Sequence, residues 1–189
     1  MAKKSTRNTR GRIVSAAWKL FYEQGYEDTT VEEIIELSGT SKGSFYHYFD
    51  GKDALLSTLS SLFDEKYEEL TGLLTPEMTA MEQLLFLNRE LFHMIEDSIS
   101  LDLLARLYST QLTTNGEKHL LDYKLLRKII AKGQAEGQLS SRSNVNEMVK
   151  LYALCERALL YDWCLCAGEY ALTEYSAKVL PGFLSSFLP

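Results

Sequence analysis

The sequence predicts an all-α protein, a short three-helix unit at the N-terminus ahead of a larger helical domain. Three observations predict it. Apolar residues recur at three- and four-residue intervals along most of the chain, the period of a helix with one buried face. Only three prolines interrupt 189 residues. Leu, Glu and Lys, which lose little freedom on entering a helix, are frequent. The pattern accommodates about nine helices, and 46% hydrophobic residues suffice to bury their common core.

Residues 1–8 read as a disordered basic arm. From about Thr9 a helical face of Ile13, Ala16, Ala17, Leu20 and Phe21 runs to Gly25. "TTVEEIIEL" opens with Thr30 and places Glu33 three residues on, the reciprocal cap of a helix start. That helix turns Val31, Ile34, Ile35 and Leu37 inward and stops at "SGT", where Gly39 suits a positive φ. A second short helix spans Ser41 to about Tyr48. Asp50, with Asp53 behind it, caps a long helix reaching about Leu74. Pro76 fits a first helical position, and helices follow near 77–97, 100–113 and 117–136, the last stopped by Gly137. Asn144 and Glu147 cap a helix over about 144–168. Thr173 opens a final one, which Pro181-Gly182 ends or kinks. No internal repeat appears. The composition changes near residue 50, which divides the chain into domains 1–50 and 51–189, coupled through a helix and not through a loose linker.

A net charge of −6 argues, taken alone, against a polyanion partner. The distribution reverses this: residues 1–20 hold Lys3, Lys4, Arg7, Arg10, Arg12 and Lys19 and no acid, whereas residues 56–189 carry the whole deficit. Cys155, Cys164 and Cys166 sit within one expected helix and do not form a disulfide framework, which points to a reducing cytoplasm. Glu156, Arg157 and Asp162 interrupt the most apolar run, so no membrane span is expected.

"SKGSFYHYFDGKDAL", residues 41–55, concentrates four rings and an imidazole between two lysines. Two short helices joined by a Gly-containing turn, packed on a preceding helix, make a helix-turn-helix, whose second helix enters the DNA major groove. Phe45 and Phe49, four apart, hold that helix to its support. Lys42, Ser44, Tyr46, His47 and Tyr48 are left outward, where they suit phosphate oxygens or base edges, and Gly43 offers a backbone N–H.

The run Ile13, Ala16, Ala17, Leu20, Phe21, Gly25, Tyr26, Thr29-Thr30-Val31, Ile34, Gly39, Ser41-Lys42-Gly43, Phe45-Tyr46, Phe49 and Lys52 resembles the DNA-binding domain of the tetracycline-repressor (TetR) family without a gap. The resemblance covers the first fifty-five residues; beyond residue 56 it is architectural, with only "IIAKGQAEGQLS" familiar. It implies DNA contacts from Lys42, Gly43, Tyr46, His47, Tyr48 and Lys52, and from Thr30 on phosphate. The chain departs from the family pattern at Ile35, Leu37, Ser38 and Thr40, and in the order His47-Tyr48.

The resemblance also implies a dimeric repressor that releases a palindromic operator when a small molecule binds among its later helices and shifts the helix carrying Lys52. Phe86, Phe92, Tyr108, Tyr123, Tyr152 and Trp163 offer an aromatic lining for that effector, with Glu156 in an otherwise apolar helix. Val149, Leu159, Leu180, Phe183, Leu184 and Phe187 exceed what one small bundle needs, and pairing across a two-fold axis covers the excess. A DNA-binding protein without an effector is the alternative. "GTSKG" formally matches a nucleophile elbow at Ser41, but the helical spacing before it lacks the strand that motif requires, so no enzyme is expected. Cys164-x-Cys166 is too tight for the usual zinc pair, and His93 and His119 lack ligand partners at helical spacing; neither metal nor cofactor is expected.

Overall fold

The computed structural model describes the backbone of residues 3–58, 66–113 and 123–189, and side chains from residue 9 onward within those ranges up to 109 in the middle one. Regular structure among the described residues is entirely helical. In chain order the helices are α1 (Lys3–Gln24), α2 (Val31–Ser38), α3 (Lys42–Tyr48), α4 (Lys52–Leu56), α5 (66–71), α6 (Ala80–Ser98), α7 (Leu101–Thr113), α8 (Lys124–Ala135), α9 (Val145–Leu165) and α10 (Leu172–Leu184), with a 3-10 turn at Ser185–Phe187. The described residues fall into two compact units, one within 1–60 and 98–119, the other within 61–97 and 120–189.

In the first unit Ile13, Ala17, Phe21, Ile34 and Phe45 are wholly buried, so α1 is the platform on which α2 and α3 lie. The capping box at Thr30 is present: Glu33 N–H donates to Thr30 Oγ1 at 3.2 Å, and Thr30 N–H donates back to the Glu33 carboxylate at 2.8 Å. Gly39 takes φ 60°, a left-handed geometry that suits glycine, and lets the chain leave α2 and enter α3. Ser41 Oγ then accepts from Ser44 N–H at 3.1 Å and starts α3.

Several expectations need correction. Helix α1 begins at Lys3, so residues 3–8 continue a helix where a disordered arm was expected. Leu37 is 46% exposed, one residue off the inward face defined by Ile34 and Ser38. The long helix from Asp50 is instead the short α4 followed by a turn at Ser57 and Thr58, and residues 59–65 of it lie outside the described residues. Gly51 occupies the cap position and has no side chain with which to cap α4, while the Asp53 carboxylate accepts from the Tyr26 hydroxyl and Arg106. Pro76 lies in a turn, and Thr79 with Glu82 forms the reciprocal cap that starts α6. Helix α10 runs through Pro181 to Leu184: burial of Leu180, Leu184 and Phe187 holds the backbone despite the missing N–H.

In the second unit Leu84, Leu87, Phe92, Leu126, Ile130, Tyr152 and Leu172 build the core. Gly133 of α8 lets that helix meet the start of α6; a Cβ there would lie 2.6 Å from the Ala80 Cβ. Asn144 and Glu147 cap α9 as expected. Helix α10 starts not on a cap of its own but on α6: the Glu96 carboxylate accepts from the N–H groups of Leu172 and Thr173 and from the Thr173 hydroxyl.

Candidate nucleic-acid interface and ligand pocket

Helix α3 divides its side chains as a groove-reading helix must. Phe45 is wholly buried and Phe49 5% exposed, while Tyr46 stands 46% exposed and Lys42, Gly43 and His47 are exposed beside it. Ser44 and Tyr48 are half-buried. The Tyr46 ring meets Phe45 edge-on at 5.3 Å, and the His47 ring meets Tyr48 edge-on at 4.8 Å, so the outward rings are braced by neighbours. Lys42 forms an exposed ion pair with Glu32 at 3.4 Å, a contact weak enough in water to be exchanged for phosphate. A Cβ at Gly43 would meet nothing in the chain nearer than Ser41 Oγ at 4.0 Å, so internal crowding gives no reason for a glycine there.

Two of the expected contacts have internal duties. The Thr30 side chain is engaged in the α2 capping box. The Lys52 ammonium donates to the carbonyls of Tyr26, Glu27 and Thr29 at 2.7, 3.0 and 3.0 Å and lies 4.4 Å from the centre of the Tyr26 ring. Its three hydrogens are matched by three carbonyls, which fix the α1–α2 loop. Helix α7 reinforces that loop. Asp102 accepts from Tyr26 N–H at 3.2 Å, and Arg106 reaches Asp53 at 3.4 Å. Burial alone would raise the Asp102 carboxyl, but the N–H groups of Tyr26 and Leu103 that face it hold it below the usual range. The sequence reading missed both α7 residues.

Ser41 belongs to a helix-turn-helix rather than to a strand–turn–helix elbow, and its hydroxyl caps α3. Burial pushes the Cys155 thiol up and the Cys164 thiol up to about 11, away from reactive thiolate character. No group of His, Cys, Asp or Glu among the described residues has the arrangement of a metal site. His93 pairs with Asp97 on the surface at 3.3 Å; His119 lies outside the described residues. No helix among the described residues is long and apolar enough to cross a membrane.

Of the expected effector-site residues, Tyr108 belongs to the first unit and the other six to the second. Phe92, Tyr123, Tyr152 and Trp163 are buried in the core; the Trp163 indole donates to the Tyr170 carbonyl at 2.9 Å, and the Tyr152 hydroxyl donates to the Leu84 carbonyl at 3.0 Å. Glu156 is 2% exposed. It accepts from Asn88 Nδ2 at 3.1 Å and from the Tyr67 hydroxyl at 3.3 Å, and Ser176 donates in turn to Asn88 Oδ1. Burial pushes the Glu156 carboxyl up to about 7, against hydrogen bonds from Asn88 and Tyr67 and the charge of Arg157 that draw it down. Phe86 alone of the six faces a cavity of about 580 Å³ between α6 and α10, whose wall includes Asn88 and Ser176. Tyr67, Asn88 and Ser176 were not legible as partners, since each lies more than sixty residues from the group it bonds.

The residues expected at a dimer interface face the other way. Val149, Leu159, Leu180, Leu184 and Phe187 are buried within the chain itself, and only Phe183 is half-exposed. Exposed instead on α9 are Leu151, Leu154, Tyr161 and Leu165, from 39% to 66%, with Tyr175 on α10. Their three- and four-residue spacing, completed by exposed Ala158, is that of a helix-pairing seam.

Residues 13–59 match the family model described as bacterial regulatory proteins, tetR family. The chain is 34% identical over 68 residues to the HTH-type transcriptional regulator TtgR of Pseudomonas putida, covering 36% of this chain and 32% of that protein. It is 36% identical over 62 residues to the regulator QacR of Staphylococcus aureus, covering 33% of each. The match spans about a third of the length of these curated relatives. Among solved structures, the TetR-family repressor FadR of Thermus thermophilus in complex with lauroyl-CoA is 26% identical with a TM-score of 0.72, over 95% of each chain. FadR of Bacillus subtilis in complex with stearoyl-CoA shares the fold, with a TM-score of 0.61 at 19% identity over 94% of this chain and 99% of that one.

Proposed function

We propose, from the match of residues 13–59 to the tetR family model and the likeness to solved TetR-family structures, that the chain is a TetR-family regulator, a homodimeric repressor of a palindromic operator, released by a small molecule. The observation that carries the reading is the split at α3: Phe45 and Phe49 held in the core, Lys42, Tyr46 and His47 exposed around an unobstructed Gly43, and Ser44 and Tyr48 half-buried beside them. These are the side chains that position a helix on phosphates and reach base edges. Thr30 stands at the start of α2 with its hydroxyl and its backbone N–H both bonded to the Glu33 carboxylate, so a phosphate there would have to displace Glu33. Lys52 supports the interface by fixing the preceding loop, with any phosphate contact secondary to that.

A palindrome is read by two copies whose α3 helices stand about 34–36 Å apart, one turn of DNA. The exposed seam of α9 supports pairing of two copies, and Leu154→Asp is expected to convert the dimer to monomer in sedimentation equilibrium. An unshifted dimer in that variant removes the seam from the reading. The effector reading is supported by the cavity between α6 and α10 and by the buried carboxylate behind it. Within the first unit Asp102 and Arg106 of α7 hold Tyr26 and Asp53, and release of the operator would require the effector to disturb that unit by about 1–3 kcal/mol of coupling. Selection from a random DNA pool should return a near-palindrome, and Tyr46→Ala should weaken its binding about tenfold or more with the fold intact. Unchanged affinity in the folded variant would falsify the assignment of α3.

A further inference from the structure

The groove between α6 and α10 carries a sign. Asn88 is 2% exposed and lies at its wall, with its Nδ2 committed inward to Glu156 at 3.1 Å. Turning the amide round would set its carbonyl oxygen against a carboxylate, so the carboxylate fixes which end of Asn88 points elsewhere. That end is Oδ1, and Ser176, also on the groove wall, donates to it. A carbonyl oxygen has two lone pairs and Ser176 uses one. A second acceptor lies on α10. Pro181 has no N–H to give the Ala177 carbonyl, and both residues line the groove.

The charges around this floor agree with it. Glu77 and Glu82 stand on the lining, and Glu156 lies one hydrogen bond behind it. The single cation among the described lining residues, Arg89, is held by Glu90 at 2.9 and 3.0 Å and lies 5.3 Å from the centre of the Phe86 ring. The remaining lining, with Met78, Leu85, Phe86 and Leu180, is apolar. A pocket of about 580 Å³ falls in the range of small-molecule sites.

The geometry points to this groove as the site of an effector with an apolar body and a hydrogen-bond-donating, cationic head, an amine, which donates to Asn88 Oδ1 and is held by the carboxylate of Glu156 behind it. This rests on the reading of the chain as ligand-responsive and names the chemistry that reading leaves open. An acid head would meet two acceptors and three carboxylates, and is disfavoured on the same ground. Burial raises the Glu156 carboxyl against the pull of Arg157, and a bound ammonium would draw it back down.

Isothermal titration of the full chain at slightly alkaline pH, without DNA, tests this with decylammonium, decanol, decanoate and decanoyl-coenzyme A, each below its aggregation concentration. Decylammonium is expected to bind about tenfold or more tighter than decanoate, with decanol between them. Glu156→Gln should shrink that preference, because an amide at 156 no longer dictates the orientation of Asn88. Ala177→Trp, at an exposed position on the groove, should abolish decylammonium binding while the far-ultraviolet dichroism is unchanged. Equal affinity for the two heads, preference for decanoate or the thioester, binding that survives Ala177→Trp, or no binding by any probe would overturn the assignment. Because DNA is absent, none of these outcomes touches the operator reading, which fails only if the unliganded chain ignores DNA.

Discussion

Replacing Glu156 by Gln should change how stability depends on pH, and the size of the change follows from where the carboxyl sits. Burial raises its folded pKa from the ordinary 4.5 to about 7, so between those values the folded chain binds more protons at this position than the unfolded chain. Its stabilising share is therefore complete below about 4.5 and is lost as the pH rises through about 7. At ~1.4 kcal/mol per tenfold, the full span corresponds to about 3 kcal/mol, most of it between about pH 5 and pH 8. Glutamine preserves shape and an acceptor for Asn88 Nδ2 while removing the titration. Urea unfolding of both proteins at fixed chain concentration, followed by circular dichroism, gives the difference in unfolding free energy at each pH. The difference should move in favour of the variant by about 2–3 kcal/mol from about pH 5 to about pH 8, other groups cancelling between the two proteins. Parallel pH profiles would refute the reasoning, because they would mean that Glu156 titrates alike folded and unfolded.

Gly43→Ala should leave the thermal midpoint unchanged or slightly higher, since helix propensity favours alanine by about 1 kcal/mol and the space is open, yet weaken operator binding in a gel-shift titration. Lys52→Met should lower unfolding free energy by about 1–3 kcal/mol, because three loop carbonyls lose their common donor; an unchanged urea midpoint would dispute that role. Gly133→Ala should destabilise by about 1–3 kcal/mol despite better propensity, because the new methyl group would press on the Cβ of Ala80; differential scanning calorimetry reads the sign directly.

The N-terminal unit was largely legible because its determinants are local. Thr30 with Glu33, Gly39, Ser41 and the Phe45/Phe49 pair each act within a few residues, and each does in the structure what its spacing implied. Lys52 was legible as a basic residue near the recognition helix but not as a loop clamp, because its acceptors are backbone carbonyls about twenty-five positions away that any residue could supply. Asp102 and Arg106 were invisible because their partners, the Tyr26 N–H and the Asp53 carboxylate, lie 76 and 53 positions away. In the second unit, periodicity located the helices but could not say which apolar residues face the chain and which face outward. Leu151 and Leu154 stand outside while Val149 and Leu159 are inside, and that choice depends on how the neighbouring helices cross. Glu156 could be singled out as an anomaly in an apolar helix; its partners Tyr67 and Asn88 could not, since nothing in their own surroundings marks them.

Helix α10 is moored at both ends. The Glu96 carboxylate ties down its first turn, and beyond its last turn the Phe187 carbonyl accepts from Ser140 N–H at 2.7 Å. A strut fastened this way cannot swing aside like a door to admit a bulkier guest. It can only bow, and Pro181 supplies the weak rung at which bowing costs least. Guests of different girth would then register as different curvatures of one helix, felt at its mooring on Glu96 near the C-terminal end of α6.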